Sequence, residues 1–300
     1  MTTSNLQHLP TLEQVLTRKT QPPVCLYNFY IVMRDRLYME EVLDFYLDVQ
    51  HHEQLWRRYI RSMHKTGLLS EDDLVEGFHS PRVLSRLSNY SGDDEKPTES
   101  KLPSRDDIAQ SAEGILLRYL VPHAAKELTQ VPQQLKDHVR QLIEQEGRDD
   151  PAVFGECKKI AFDVMQRVAY PKFLRLKVWG NVTLWQQLGR LVLGLFSLMA
   201  GFTTGLSLIF LGYPQWGIRW CALLPIWVGV LNCMVFLTGL DPLWVLIFNT
   251  SETTTFHFNF IKERPVRRIL FSRSLWLLLV SLVVSVALSV IFAAVPPRRL

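Results

Sequence analysis

The chain is poor in the residue patterns that support covalent or metal chemistry. Its four cysteines, Cys25, Cys157, Cys221 and Cys233, lie far apart, and two fall in strongly apolar surroundings. They form no disulfide framework, and no pair has metal-ligand spacing. There is no G-x-S-x-G, no phosphate-cradling glycine loop and no H-E-x-x-H. The lone histidine pair, His51-His52, is expected on a solvated helix face, because neighbours on a helix point about 100° apart and make a poor metal site. Glu71-Asp72-Asp73 lacks calcium-loop spacing and reads as a helix start. The net charge of +4 is not gathered into a block of like sign, which argues against a nucleic-acid partner. The first residues carry no basic segment followed by an apolar core, so no signal peptide is expected. No catalytic residue, metal site or cofactor is assigned, and the chain is not expected to be an enzyme.

What the chain does have is long uncharged apolar runs. Residues 191–211, LVLGLFSLMAGFTTGLSLIFL, are long enough to cross the roughly 30 Å hydrocarbon core of a bilayer as a helix. Residues 220–240 and 275–295 repeat the pattern, with Pro225 near the start of the second run. Three spans put the two ends on opposite sides. Lys172, Arg175, Lys177 and Arg190 precede the first run, and Lys262, Arg264, Arg267, Arg268 and Arg273 lie between the second and third. Fewer basic residues, Arg219, Arg298 and Arg299, fall on the other side. The bias puts the N-terminal half in the cytosol and the C-terminus outside. The sequons at Asn181 and Asn249 would then go unused. The same basic cluster, 262 to 273, can meet anionic lipid. No ionisable residue lies deep in a span, which opposes a transporter or channel. Ser197, Gly201 and Gly205 place small residues on one face of the first span, a helix-packing signal within this bundle or, second, toward a homo-oligomer or partner helix.

Before residue 179 the sequence reads as a water-soluble helical bundle without strand-like alternation. Residues 1–10 form a tail. Leu12, Val15 and Leu16 share a face after the cap Thr11, and Leu26, Phe29, Tyr30 and Met33 mark a second helix. From Glu40 a longer helix carries Leu43, Tyr46, Leu47 and Gln50 on one stripe with Phe45 beside it. Residues 67–105 form an insertion. Its stretch 88–105, SNYSGDDEKPTESKLPSR, is too polar to offset its ordering entropy and is expected to be disordered, whether a plain solvated loop or a phosphorylated one. Helices resume at Asp106, Pro132 and Pro151.

Three blocks in this half carry a resemblance. Thr11 to Leu16 resembles the opening helix of the RGS domain, the helical module that binds Gα subunits and speeds their GTP hydrolysis. Glu40-Glu41-Val42-Leu43-Asp44-Phe45-Tyr46 resembles that domain's E-E-N-[LI]-x-F-W block. Residues 153–174, VFGECKKIAFDVMQRVAYPKFL, follow its closing block. The resemblance implies an all-α, RGS-like bundle over 11–178, followed by a membrane region over 179–300. Joined to several C-terminal spans, it is similar to the fungal Rax ("revert to axial") bud-site-selection family. That resemblance implies a polarity role at the plasma membrane of growth or division sites, with a second membrane protein as partner.

By the same resemblance the Gα-facing positions are Glu41, Val42, Gln130, Val168 and Lys172. An active RGS domain orders the GTPase's own catalytic groups rather than supplying one. Here Val42 stands where the family has Asn, Val168 where it has Asp, and Lys172 where it has Arg. Valine offers neither the amide nor the carboxylate, and lysine lacks the guanidinium fork. Glu41 is retained, either as a contact or as a solvated helix-start acid. The expectation is a scaffold or landmark for G-protein-linked partners, with active GTPase acceleration as the alternative.

Overall fold

The computed structural model describes residues 9–65, 103–212 and 216–296. Residues 1–8 of the expected 1–10 tail, most of the 67–105 insertion with its acidic run, Tyr213, and Arg298 and Arg299 lie outside the described residues. In chain order the described helices are α1 (Leu12–Leu16), α2 (Leu26–Val32), α3 (Glu40–Lys65), α4 (Arg105–Ile115), α5 (Gln133–Glu144), α6 (Gly155–Val164) and α7 (Tyr170–Val178). They continue as α8 (Leu184–Phe210), α9 (Trp216–Arg219), α10 (Leu223–Thr238), α11 (Pro242–Leu246) and α12 (Arg264–Ala294). Short π-helical turns follow α2, α4 and α6, at Met33–Leu37, Leu116–Leu120 and Met165–Ala169. The architecture is all-α with one small addition, the strands β1 (Thr250–Thr254) and β2 (His257–Phe260). The chain divides into two units, one of Leu37–Ala169 and the other of Met1–Arg36 together with Tyr170–Leu300.

In the unit Leu37–Ala169 the long helix α3 supplies the core. Its buried residues include Val42, Phe45, Val49, His52, Trp56, Tyr59, Ile60 and Met63. They recur every three or four positions, so they form one continuous face. The expected stripe Leu43, Tyr46, Leu47, Gln50 is therefore displaced: Leu43 is buried, but Tyr46, Leu47 and Gln50 are only half-buried. Phe45 packs edge-on to Tyr119 at 5.6 Å, and Tyr46 meets Phe162 at 6.0 Å. α4 begins with a capping box, in which Ser104 and Asp107 satisfy each other's backbone N–H groups. Gly147, at φ 62, gives the left-handed residue just past α5.

His52 corrects the expectation of a solvated pair. His51 is exposed, but His52 is fully buried. Its Nε2 lies 2.9 Å from the Asp149 carbonyl and its Nδ1 3.1 Å from Ser111 Oγ. A carbonyl only accepts, so Nε2 carries the proton and Nδ1 accepts from the serine. Burial, the largest influence, holds the imidazole pKa below 6.5. The unfolded chain then takes up the proton first as pH falls. Stability contributed here is complete above pH 6.5 and declines below it, toward the folded-state pKa. Denaturant titrations at a series of pH values are expected to show this acid-side loss, and His52→Gln, which keeps an N–H for Asp149, is expected to flatten it. An unchanged slope in the variant would remove His52 as the cause.

In the other unit, Phe29 of α2 meets Tyr170 and Phe173 of α7 edge-on, at 6.3 and 5.1 Å. The Tyr170 hydroxyl donates to the Pro10 carbonyl. The same unit holds three helices long and apolar enough to cross a membrane, Leu184–Phe210, Gly217–Thr238 and Arg264–Ala294. Each begins before the apolar run in its sequence and ends one or two residues short of the run's end. Glycines let α8 and α10 approach: a Cβ on Gly201 would come within 3.0 Å of the Ile226 backbone N, and one on Gly229 within 2.8 Å of the Leu198 N. Gly205 lies instead against the Phe292 ring of α12, and Ser197 is half-buried. α12 buries Ser274, Ser281, Ser285 and Ser289, small residues that admit α10; Ser281 accepts from the Trp227 indole at 3.2 Å. Gly229→Val is expected to destabilise the α8–α10 pair by about 1–3 kcal/mol, read as a lower thermal midpoint in neutral-lipid nanodiscs. An unaltered midpoint would refute close packing at Gly229.

Candidate functional site

The E-E-V-L-D-F-Y block opens α3. Its acids Glu41, Asp44 and Asp48 fall at i, i+3 and i+7 and so share one face. All three reach the segment between α4 and α5. Gln130 Nε2 donates to Glu41 Oε1 at 3.4 Å, the Lys126 ammonium pairs with Asp44, and Arg118 Nη1 donates to Asp48 at 3.1 Å. Asp48 also accepts from the Tyr119 hydroxyl at 2.7 Å. Burial and that bond raise the Tyr119 pKa, so the phenol stays protonated as the donor. Within the same segment Glu127 accepts from the His123 N–H and from the almost fully buried Lys136 ammonium, which lowers its pKa.

The expected partner-facing residues are thus sorted by burial. Glu41 and Gln130, 89 positions apart in sequence, are brought together. Gln130 directs one amide N–H at Glu41, while its Oε1 is buried without a partner among the described residues. Val42 corrects the expectation of a contact residue. It is fully buried, pointing into the core face of α3, and a partner cannot reach it without repacking that helix. Val168 lies on the π-helical turn Met165–Ala169 and is 41% exposed. Lys172 is exposed on α7, in the other unit.

The basic cluster also divides. Lys262, Arg264, Arg267 and Arg268 are exposed. Arg273 is withdrawn from the expected lipid-facing set: it donates to the Trp179 carbonyl and lies 5.0 Å from that residue's ring. The guanidinium is committed to protein, stacked as well as hydrogen-bonded.

A buried polar junction in the membrane-bearing unit escaped sequence reasoning. Asn181 binds the Asp241 backbone from both sides, with Nδ2 donating to its carbonyl at 3.1 Å and Oδ1 accepting from its N–H at 2.7 Å. The Asn181 backbone bonds the Gly239 carbonyl and accepts from Glu252 N. The Asp241 carboxylate pairs with Arg190, which also donates to Asn232 at 3.2 Å. Burial raises the Asp241 pKa, and Arg190 opposes that. Glu252 on β1, 1% exposed, accepts from the Thr183 and Phe256 backbone N–H groups. Lys177 Nζ donates to the Glu252 carbonyl at 2.8 Å, and its burial lowers the ammonium pKa to about 8, partly offset by Glu252. Residue types alone gave one clue to this junction: the sequon asparagine Asn181 stands directly before an apolar helix.

Residues 21–181, more than half of the chain, match the Regulator of G protein signaling domain, so the chain belongs to that family. The match begins after α1, which leaves the expected opening helix outside it. Along almost its whole length the chain is similar to two fungal proteins. It is 26% identical to Protein rax1 of Schizosaccharomyces pombe, covering 97% of this chain and 99% of that one. It is 22% identical to Bud site selection protein RAX1 of Saccharomyces cerevisiae, covering 98% and 95%. The RGS domain with three apolar helices behind it is thus of the fungal Rax type. No solved structure matches the chain.

Proposed function

We propose that this is a membrane-anchored RGS-domain protein of cell polarity, which holds G-protein-linked partners at growth or division sites instead of accelerating GTP hydrolysis. The observation that carries this reading is Val42. The position where the family presents an asparagine is a fully buried valine, and the amide of Gln130 is turned onto Glu41. Among the described residues, Val42 presents no amide on this face to align a glutamine and a water in a Gα active site, and Gln130 holds its own against Glu41. The polarity role rests on the likeness to the bud-site-selection relative. The proposed location is the plasma membrane, with the helical domain cytosolic and the C-terminus outside, supported by Arg264, Arg267 and Arg268 at the start of the last helix. A second membrane protein, or a second copy of the chain, is the proposed partner within the bilayer.

Single-turnover GTP hydrolysis by fungal Gα subunits, with the full chain in nanodiscs, tests this. Rates within about twofold of Gα alone are expected, whereas an active RGS domain would exceed that by orders of magnitude. Acceleration of about tenfold or more would favour the second reading, an active regulator, for which the family match and the retained Glu41 speak.

A further inference from the structure

Beside the buried junction is a cavity of about 270 Å³, formed wholly within the membrane-bearing unit. Its walls come from the end of α2 and the turn after it, from α7, from the first residues of α8 and from the β1–β2 turn. Four groups in it seek an acceptor or a donor. The Lys177 ammonium is 94% buried by its residue exposure and donates once, to the Glu252 carbonyl. An ammonium has three protons, so two remain without an acceptor among the described residues. Arg36 lines the cavity, and its guanidinium has no hydrogen-bond or ion-pair partner among the described residues. Thr183 Oγ1 is buried and unbonded. Thr254, at the end of β1, adds a further hydroxyl.

The acids nearby answer these groups only in part: Glu252 favours the Lys177 charge through space, but the bond to Lys177 comes from its backbone carbonyl and not from its carboxylate. Asp35, the acid in the wall, is engaged by Arg34 through two bonds of 2.7 and 3.3 Å. Glu252 turns both carboxylate oxygens onto backbone N–H groups. Two cations and two hydroxyls around one hollow describe an oxyanion site, and phosphate suits lysine and arginine alike.

The position of the cavity identifies the source of that anion. Leu184 and Trp185 form part of its wall and open the first apolar helix, and they are 46% and 72% exposed. Leu188, exposed on the same side, follows one turn or about 5.4 Å further on, and Val192 one turn beyond it. An apolar strip thus leads from the cavity along the helix, at the level where headgroups lie above the hydrocarbon. We infer that this cavity, built by Lys177, Arg36 and Thr183 at the head of the first apolar helix, binds the phosphate of an anionic phospholipid, with the acyl chains along Leu188 and Val192. The site is separate from the exposed basic cluster of α12 and requires no Gα binding.

The test is native mass spectrometry of the full chain released from nanodiscs of phosphatidylcholine containing about one-fifth phosphatidylserine or phosphatidylinositol. One anionic phospholipid retained per chain is expected. Arg36→Gln, a surface change that breaks no protein contact, and Lys177→Met are each expected to reduce its occupancy about tenfold, as loss of a charge-assisted phosphate contact does. The combined Arg264→Gln, Arg267→Gln, Arg268→Gln variant is expected to leave it unchanged. Should Lys177→Met fail to fold, Arg36→Gln and Thr183→Val carry the test. Occupancy unaffected by Arg36→Gln, or lost only with the α12 cluster, would overturn the site. In a parallel arm the protein in pure phosphatidylcholine receives millimolar inorganic phosphate. Thermal stabilisation equal to that given by anionic lipid would overturn the lipid assignment in favour of a soluble anion.

Discussion

Replacing Val42 with asparagine, the residue the RGS family carries there, is expected to destabilise the helical unit by about 2.5–4.5 kcal/mol without conferring GTPase activation. Val42 is 0% exposed. The change removes roughly 1.5 kcal/mol or more of apolar burial and leaves an amide to be desolvated, at about 1–3 kcal/mol, with no partner there to receive it. Hydrogen exchange of α3 amides in the full chain is the direct measurement, since protection scales with the local opening free energy. Protection should fall along Leu43 to Ile60. Val168→Asp is the informative contrast. Val168 is 41% exposed, so its replacement should stay within about 0.5 kcal/mol and can be assayed for Gα activation without a folding defect. Undiminished exchange protection in the Val42 variant would show that α3 can turn that position outward, and the argument for a non-activating domain would then lose its main support.

The second large effect is expected at Asn181. Its amide satisfies the Asp241 N–H and carbonyl, and both residues are nearly fully buried. Asn181→Ala orphans two buried backbone groups, each worth about 1–3 kcal/mol, and a loss of about 3–5 kcal/mol follows. Asp241 also holds Arg190, so the damage should extend to the head of the first apolar helix. Thermal unfolding in neutral detergent, together with limited proteolysis of the 249–263 segment, reads both consequences. A midpoint and cleavage pattern like those of the parent chain would mean that water replaces the asparagine, and that the junction is not structurally essential.

How much of this was legible beforehand depended on the kind of force involved. The three apolar runs declared themselves because hydrocarbon imposes a length on any segment that crosses it. Their helices nonetheless begin earlier, at Leu184 and Arg264, because hydropathy marks the lipid boundary and not the hydrogen-bonded ends. The buried stripe of α3 was partly misread, since it uses a histidine, and His52 is neutral and buried only because Asp149 and Ser111, 97 and 59 positions away, accept and donate. The β1–β2 hairpin gave no alternating signal. Its first strand, Thr-Ser-Glu-Thr-Thr, buries polar residues through long-range hydrogen bonds instead of an apolar face. Among the candidate site residues, the resemblance supplied the positions of Glu41, Gln130 and Val168. It could not say that Val42 turns inward, because a valine for an asparagine is equally compatible with a greasy surface and with a core.

The division of the chain has a consequence for its synthesis. Leu37–Ala169 is one uninterrupted stretch and can close on itself as soon as it leaves the ribosome. The other unit is sewn from both ends of the chain: the Gln21 N–H is bonded to Glu263, 242 residues later, and the Pro22 carbonyl accepts from Lys262 and Glu263. At about 5–20 residues per second, the first two helices wait on the order of ten seconds or more for these partners to be made. During that interval two apolar helices must already have been handed to the membrane. The segment before Leu37 is therefore made ahead of the Leu37–Ala169 unit yet is among the last to find its place, so a variant that folds slowly would leave it exposed longest.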